Sequence, residues 1–183
     1  MRVAFLMAPD GVEQVELEKP WQAVRAAGWE PRLVSTEPGR VQARHHLDKG
    51  DTFAVDDVVR DTPAADFGAL VLPGGLANPD ALRLDGHAVG FARHFFGMDR
   101  PVAAICHAPW TLVEADMVRG RTLTSWPSLA MDIRNAGGTW VDEQVHVCRA
   151  APGTLVTSRK PADLDAFCAA LVEEFAAVTE HAG

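Results

Sequence analysis

Short runs of consecutive apolar residues alternate along the chain with longer segments in which apolar residues recur every three or four positions. The short runs predict strands, which are 2–8, 30–36, 67–75, 101–106, 121–125, 139–147 and 153–158. The longer segments predict helices, which are 13–28, 85–99, 108–120, 127–138 and 162–178. Turn residues within 45–59 predict a small hairpin off the main sheet. Such an alternation favours an α/β fold with a mostly parallel sheet covered by helices on both faces.

Composition narrows the class of protein. The 183 residues fit one domain, 1–183, and the net charge of -8 comes with no run of Lys or Arg. A nucleic-acid-binding groove and an anionic membrane are therefore not expected as partners. The N-terminus lacks a long apolar core with a cleavage site, and no stretch approaches the about 18 apolar residues of a membrane span. We expect a cytoplasmic protein.

Three cysteines, Cys106, Cys148 and Cys168, are widely separated and odd in number, so no disulfide framework is predicted. The chain has no CxxC or HExxH spacing, and no metal site is expected. The pair His45 and His46 is interpreted as part of a surface loop.

Three features follow strands of the predicted parallel sheet, where binding sites form in such folds. They are the turn at 8–16, the "PGG" at 73–75 and Cys106. We therefore expect these three segments to converge.

Cys106 stands between a predicted strand and a predicted helix, with the small residues Ala104 and Ala108 on either side. This context resembles the elbow that presents a nucleophile in hydrolases. A helix N-terminus would favour the thiolate, and His107 supplies an imidazole, so Cys106 is predicted to be reactive while the other two cysteines are inert. The alternative is a core cysteine followed by a capping histidine.

Two further groups complete a candidate site. The amides of Gly74 and Gly75 could hold a developing oxyanion, although two glycines also suit a plain turn. Glu13 and Glu16 are three apart and share a helix face. A carboxyl group near a thiol must carry or share a proton, and we assign that role to Glu16. Glu13 is better interpreted as an acid that complements the helix dipole.

The chain resembles the ThiJ/PfpI superfamily from residue 2 to about residue 178. The segments that carry the resemblance are "GVEQVEL", "ALVLPGG", "PVAAICHAPW", "RGRTLTSWPS", "NAGGTWVD" and "LVTSRKPADL". The stretches "NPDALR" and "SWPS" are similar to the branch of PfpI-type intracellular proteases, deglycases and stress proteins.

This resemblance implies a flavodoxin-like three-layer α/β/α sandwich with a nucleophile elbow. It implies that Cys106 is the nucleophile, that His107 is its adjacent histidine and that Glu16 is the acid on the sulfur. The amides of Gly75 and His107 would form the oxyanion site, with Glu13 and Gly74 behind them. No cofactor is implied.

Two positions depart from relatives. A histidine stands near the position of Trp126 in some of them, so His107 is the base here or no histidine is. The related proteases complete the site with an acid from a neighbouring subunit, and Asp80 is the best match. Asn78, Pro79 and Asp80 also suit the start of a helix, an alternative that leaves Asp80 a local role.

The resemblance implies a cysteine-dependent hydrolase of the stress response, acting on peptides, on glycation adducts or on α-oxoaldehydes such as methylglyoxal. We expect a homo-oligomer between a dimer and a hexamer, with a small-molecule or peptide substrate. The alternative is a redox-sensing stress protein or holdase whose thiol is oxidised without turning over a substrate.

Overall fold

The computed structural model describes residues 1–150 and 152–180. The strands in those residues are β1 (Arg2–Met7), β2 (Asp10–Glu13), β3 (Glu30–Ser35), β4 (Arg40–His45), β5 (Asp48–Ala54), β6 (Asp57–Val58), β7 (Ala69–Leu72), β8 (Val102–Ile105), β9 (Thr122–Leu123), β10 (Thr139–Trp140), β11 (Val145–Cys148) and β12 (Leu155–Ser158). The α-helices are α1 (Gln14–Ala26), α2 (Ala77–Leu82), α3 (Gly86–Gly97), α4 (Pro109–Glu114), α5 (Ala130–Asn135) and α6 (Leu164–Glu180).

Seven strands form the main sheet in the order β11-β12-β8-β7-β1-β3-β6. All neighbouring strands are parallel except the edge strand β11, which runs antiparallel to β12. The predicted α/β fold with a mostly parallel sheet is therefore confirmed. None of the described helices has the length and apolar character that crossing a bilayer requires.

The sheet separates two apolar cores, because successive side chains of a strand point to opposite faces. In β1, Val3 and Phe5 pack into the core that α1 and α6 cover. Ala4 and Leu6 pack into the core that α3, α4 and α5 cover. Helices thus lie on both faces of the sheet and give the predicted three layers.

A small second sheet stands beside the main one, in the order β2-β4-β5. β4 and β5 form the predicted hairpin, although it begins at Arg40 rather than at 45. β2 was not predicted as a strand. It pairs with β4, and the Arg44 guanidinium fixes this contact with two bonds to the Asp10 carboxylate, of 2.7 and 2.6 Å.

Several predicted boundaries were wrong. The helix predicted over 108–120 ends at Glu114, because Asp116 adopts a φ of 54° that a right-handed helix does not allow. The helix predicted over 127–138 is a 3₁₀ turn followed by the short α5. The strand predicted over 139–147 divides into β10 and β11, and β10 pairs with β9 away from the main sheet.

Candidate active site

A cavity of about 170 Å³ opens where β1, β7 and β8 end. The carboxyl ends of these neighbouring parallel strands place the three segments singled out in the sequence at one edge of the sheet. The residues that line the cavity are Glu13, Glu16, His46, Leu47, Gly75, Leu76, Cys106, His107, Trp126 and Pro161. The structure therefore brings Cys106, His107, Glu16 and Gly75 together.

Cys106 follows β8 with a φ of 63°, which costs a non-glycine residue about 1–3 kcal/mol of strain. Two backbone bonds hold this conformation: its N–H donates to the Ser158 carbonyl (3.1 Å), and its carbonyl accepts from the Trp126 N–H (2.8 Å). The tight turn agrees with an elbow. Cys106 itself is nevertheless only 6% exposed.

The two glycines make room for this packing. A Cβ on Gly74 would lie 2.5 Å from Glu16 Oε2 and 2.7 Å from Cys106 Cβ. Gly75 has a φ of +84°, and a Cβ there would lie 2.1 Å from the Gly11 carbonyl oxygen. A side chain at either position would therefore displace the nucleophile or the backbone around it.

Glu16 is fully buried beside Cys106, and its Oε2 accepts a bond from the Gly74 N–H (2.9 Å). Burial raises the pKa of this carboxyl to about 8, because an anion loses its hydration there. Among the described residues, its Oε1 has no hydrogen-bond partner by geometry, although the carboxyl does interact with the Cys106 thiol. Glu16 is therefore mostly protonated at neutral pH and has a proton to share with the sulfur.

Burial also raises the pKa of the Cys106 thiol, and a charged Glu16 raises it further. This direction is opposite to the prediction of a thiolate favoured by a helix N-terminus. The reason is local: the Ala108 N–H donates to the Ile105 carbonyl (3.0 Å), and Pro109 has no N–H to aim at the sulfur. Cys106 and Glu16 therefore titrate as one coupled pair, and near neutral pH the sulfur is a thiol beside a mostly protonated carboxyl.

Two backbone amides do face the sulfur. The N–H groups of Gly75 and His107 both lower the pKa of the Cys106 thiol, although their effect is smaller than that of burial. These are the two amides that the resemblance implied for the oxyanion. They lie on opposite sides of the elbow, since Gly75 follows β7 and His107 follows β8.

The His107 ring lies against the sulfur, with Nδ1 3.2 Å from Cys106 Sγ. It stacks on Trp126 with a centroid distance of 5.5 Å and an interplanar angle of 20°, and it meets Trp110 at 5.3 Å. The Trp110 Nε1–H is held by Asp132 (2.8 Å). Burial lowers the pKa of His107, so its imidazole is neutral near pH 7 and can accept a proton.

The other two cysteines lie outside this cavity. Cys148 is buried on the edge strand β11, and Cys168 is half-buried on α6. Burial raises the pKa of Cys168 to about 11. What distinguishes Cys106 from them is its place in a cavity beside a histidine and a protonated acid.

A sequence model of the DJ-1/PfpI family matches residues 1–174. The chain belongs to the DJ-1/PfpI family. It is 41% identical over 167 residues to a deglycase of Pyrococcus horikoshii, an alignment that covers 91% of this chain and 95% of the relative. It is 38% identical over 167 residues to the protein/nucleic acid deglycase 2 of Escherichia coli, covering 91% and 92% of the two chains.

Solved structures of the family share the fold. DJ-1 of Schizosaccharomyces pombe superposes with a TM-score of 0.81 at 18% identity, over 99% of this chain and 98% of that one. This likeness confirms the flavodoxin-like sandwich that the resemblance implied.

Asn78 and Asp80 do not line the cavity that holds the other predicted site residues. Asp80 is exposed on α2, outside the lining of the cavity. The alternative that these residues start a helix is confirmed, because α2 begins at Ala77 and has Asp80 in its first turn, but Asn78 is fully buried within the helix rather than at its cap. Its amide instead accepts from the Ala8 N–H (2.8 Å) and donates to the carbonyls of Pro73 and Gly74 (3.0 Å each). It therefore holds the ends of β1 and β7 together under the two glycines.

Glu13 lies at the N-terminus of α1 as predicted, but it has a further contact with the hairpin tip that the sequence did not predict. Glu13 makes no cap bond to α1; its Oε2 accepts from the backbone N–H of His46 (2.9 Å). His46 and Leu47 thereby reach the cavity that Cys106 lines. The sequence signal for this contact was weak, because it depends on the unpredicted pairing of β2 with β4. The described residues contain no group of His, Cys, Asp or Glu that could hold a metal ion.

Proposed function

We propose that this protein is a cysteine-dependent hydrolase that removes glycation adducts from amines and thiols and cleaves activated peptide or ester bonds. The observation that carries the proposal is Cys106 in a strained turn at the cavity, with His107 Nδ1 at 3.2 Å and a protonated Glu16 beside it. Support comes from the relatives named as deglycases, which match most of the chain.

The reaction begins with the loss of the thiol proton. Because His107 is neutral, its Nδ1 accepts that proton as the sulfur attacks an electrophilic carbon. The carbonyl electrons move to the oxygen, and the amides of Gly75 and His107 stabilise the oxyanion. The protonated Glu16 carries no charge that opposes the negative charge developing on the sulfur, whereas an ionised carboxyl would repel it.

The redox-sensing alternative has less support. Peroxide reacts with a thiolate, and the burial of Cys106 disfavours a free thiolate at rest. A substrate can still be attacked, because His107 removes the thiol proton during the step itself.

We also propose that the single domain works as a homo-oligomer in the cytoplasm, with Asp80 acting in a neighbouring subunit. The exposure of Asp80 on α2, outside its own cavity, is compatible with that role. A mixture of Cys106→Ala and Asp80→Ala should then recover part of the activity, since some interfaces regain one intact site. If each variant assembles normally and the mixture stays inactive, Asp80 acts only within its own chain.

The test of the function is a substrate panel of casein, methylglyoxal and the methylglyoxal adduct of N-acetylcysteine. Wild-type protein should turn over at least one of them, and Cys106→Ala should lose that turnover by about 1,000-fold or more. Cys148→Ala is the matched control, because its thiol is buried away from the cavity, and it should retain activity. Turnover that survives in Cys106→Ala would contradict the proposal.

A further inference from the structure

The tip of the β4–β5 hairpin has an unusual conformation. His46 sits there with a φ of 58°, in the left-handed region that non-glycine residues seldom occupy. Its side chain is 87% exposed, yet it lines the cavity of Cys106 together with Leu47. A residue with a strained backbone at the lining of a candidate active site is a candidate for a functional role.

Glu13 fixes this tip. Its side chain is only 10% exposed, and its Oε2 accepts a bond of 2.9 Å from the His46 backbone N–H. The same oxygen lies 4.0 Å from His46 Nδ1. At this distance, which is too long for a direct hydrogen bond, the carboxyl can still attract the imidazole through its charge, and the other ring nitrogen remains free to exchange a proton with a substrate.

The proposed reaction also requires that the leaving group receive a proton. His107 takes the thiol proton at Nδ1 against the sulfur, and its ring is held between Trp110 and Trp126. An amine leaves poorly unless its nitrogen is protonated as the bond breaks. The hairpin tip also lines this cavity, and His46 there supplies a second imidazole.

We propose that His46 is a second acid–base residue of this site, positioned by Glu13, which protonates the leaving nitrogen of amine-bearing substrates. The inference rests on the proposed function and specifies its substrate class, namely amides and other carbonyl adducts of amines. An imidazole suits this task because it gains and loses a proton near neutral pH.

An amide substrate would react in two stages. After sulfur has attacked, the oxyanion electrons re-form the carbonyl, the C–N bond breaks with its electron pair on nitrogen, and protonated His46 gives that nitrogen a proton. The products are a thioester on Cys106 and a free amine. Neutral His46 then takes a proton from water, whose hydroxide attacks the thioester carbon and releases the sulfur as a thiolate. The thiolate takes back the proton held by His107.

The test compares a p-nitrophenyl ester with the p-nitroanilide of the same acid. p-Nitrophenolate leaves without a proton, whereas p-nitroaniline needs one. His46→Gln should lower kcat for the anilide by about 100-fold and leave the burst of p-nitrophenol within about 2-fold of wild type. His45→Gln is the matched control, because that exposed histidine lies one residue away and outside the cavity lining.

Glu13 is tested through the ratio of kcat for the anilide to the burst rate for the ester. This ratio cancels any effect on the reactivity of Cys106 itself. Glu13→Ala should lower this ratio, Glu13→Gln should restore part of it by accepting the His46 N–H, and Glu13→Ala should add nothing in the His46→Gln background. Equal losses in the anilide kcat and in the ester burst rate of His46→Gln, a change in KM alone, or wild-type protein that cleaves only the ester would overturn the assignment. Absence of any Cys106-dependent turnover would instead contradict the proposed function, and the assignment with it.

Discussion

The floor and the rim of the cavity are built in different ways. The floor consists of Gly74, Gly75 and Cys106 at the ends of β7 and β8, where neighbouring atoms leave no space for a single added carbon. The rim consists of His46, Leu47 and Leu76 on the hairpin and before α2, and its leucines are 83% and 55% exposed. Substitutions on the floor should therefore act through the fold, whereas substitutions on the rim should act through the substrate.

This difference reflects the division of labour in the proposed site. The floor must hold a strained cysteine, two amides and a buried acid in one geometry, so each group is fixed by its neighbours. The rim meets solvent and can change its side chains at little cost in stability. If the comparison is correct, the ratio of activity loss to stability loss should differ sharply between the two regions.

The largest effect is expected for Gly75→Ala. Its Cβ would meet the Gly11 carbonyl oxygen at 2.1 Å in a backbone with a φ of +84°, so the β7 turn must move. We expect a loss of about 3 kcal/mol or more in the free energy of unfolding, together with loss of turnover. Urea denaturation and a substrate assay measure both.

Gly90→Ala is the control for that substitution. Gly90 lies within α3 with no atom within 4 Å of an added Cβ, and alanine should stabilise the helix by about 0.5–1 kcal/mol. A Gly75→Ala protein as stable and active as wild type would show that the floor is less constrained than its geometry indicates.

Asn78→Ala should rank second. The variant leaves the Ala8 N–H and the carbonyls of Pro73 and Gly74 without their partner under the floor. Each buried polar group that loses its hydrogen-bond partner costs about 1–3 kcal/mol, so we expect the free energy of unfolding to fall by about 3 kcal/mol. Urea denaturation measures this loss. Activity per folded molecule should fall as well, because the Gly74 carbonyl loses the hydrogen bond that holds this glycine beside Cys106. An effect below about 0.5 kcal/mol would contradict this role.

The floor was largely predictable from the sequence, because its signals are local. Strand, glycine pair and small residues around Cys106 all lie within short segments whose backbone demands are visible. The role of Asn78 was not predicted, because asparagine is favoured at helix starts as well as at buried positions where its amide bonds to the backbone. The prediction that a helix N-terminus lowers the pKa of the Cys106 thiol was wrong. That pKa depends on burial and on whether the neighbouring amides are already bonded, which the sequence does not show. The rim was missed because His46 and Glu13 meet only through the pairing of β2 with β4.

The pH dependence of stability should report on Glu16, the acid of the floor. Its pKa rises from 4.5 to about 8 on folding, so between these values the folded protein holds a proton that the unfolded chain has released. Stability therefore falls as pH rises through this window, by up to about 1.4 kcal/mol per pH unit. Glu16→Gln has no such proton and should show a flatter profile in urea denaturation. Parallel profiles for the two proteins would contradict a protonated Glu16.

The titration of Cys106 should move in the same variant. Glutamine can still bond to the sulfur but cannot share a proton with it, so the pH dependence of Cys106 alkylation should shift relative to wild type. Glu18→Gln is the control, because Glu18 lies on α1 outside the cavity of Cys106. An unchanged alkylation profile in Glu16→Gln would show that Glu16 does not influence the titration of the Cys106 thiol.

The smallest effect on stability is expected at the rim, for Leu47→Ser. Leu47 is 83% exposed, so its free energy of unfolding should stay within about 0.5 kcal/mol of wild type. Leu84→Ser removes a leucine of equal exposure, 86%, that lies outside the cavity. Only Leu47→Ser should raise KM for an ester with a long acyl chain relative to KM for the acetyl ester. We expect an increase of about 2- to 10-fold, because the contact between Leu47 and the acyl chain is worth about 1 kcal/mol. Equal KM values in the two variants would mean that the substrate does not touch the hairpin, and the division between a structural floor and a selective rim would no longer hold.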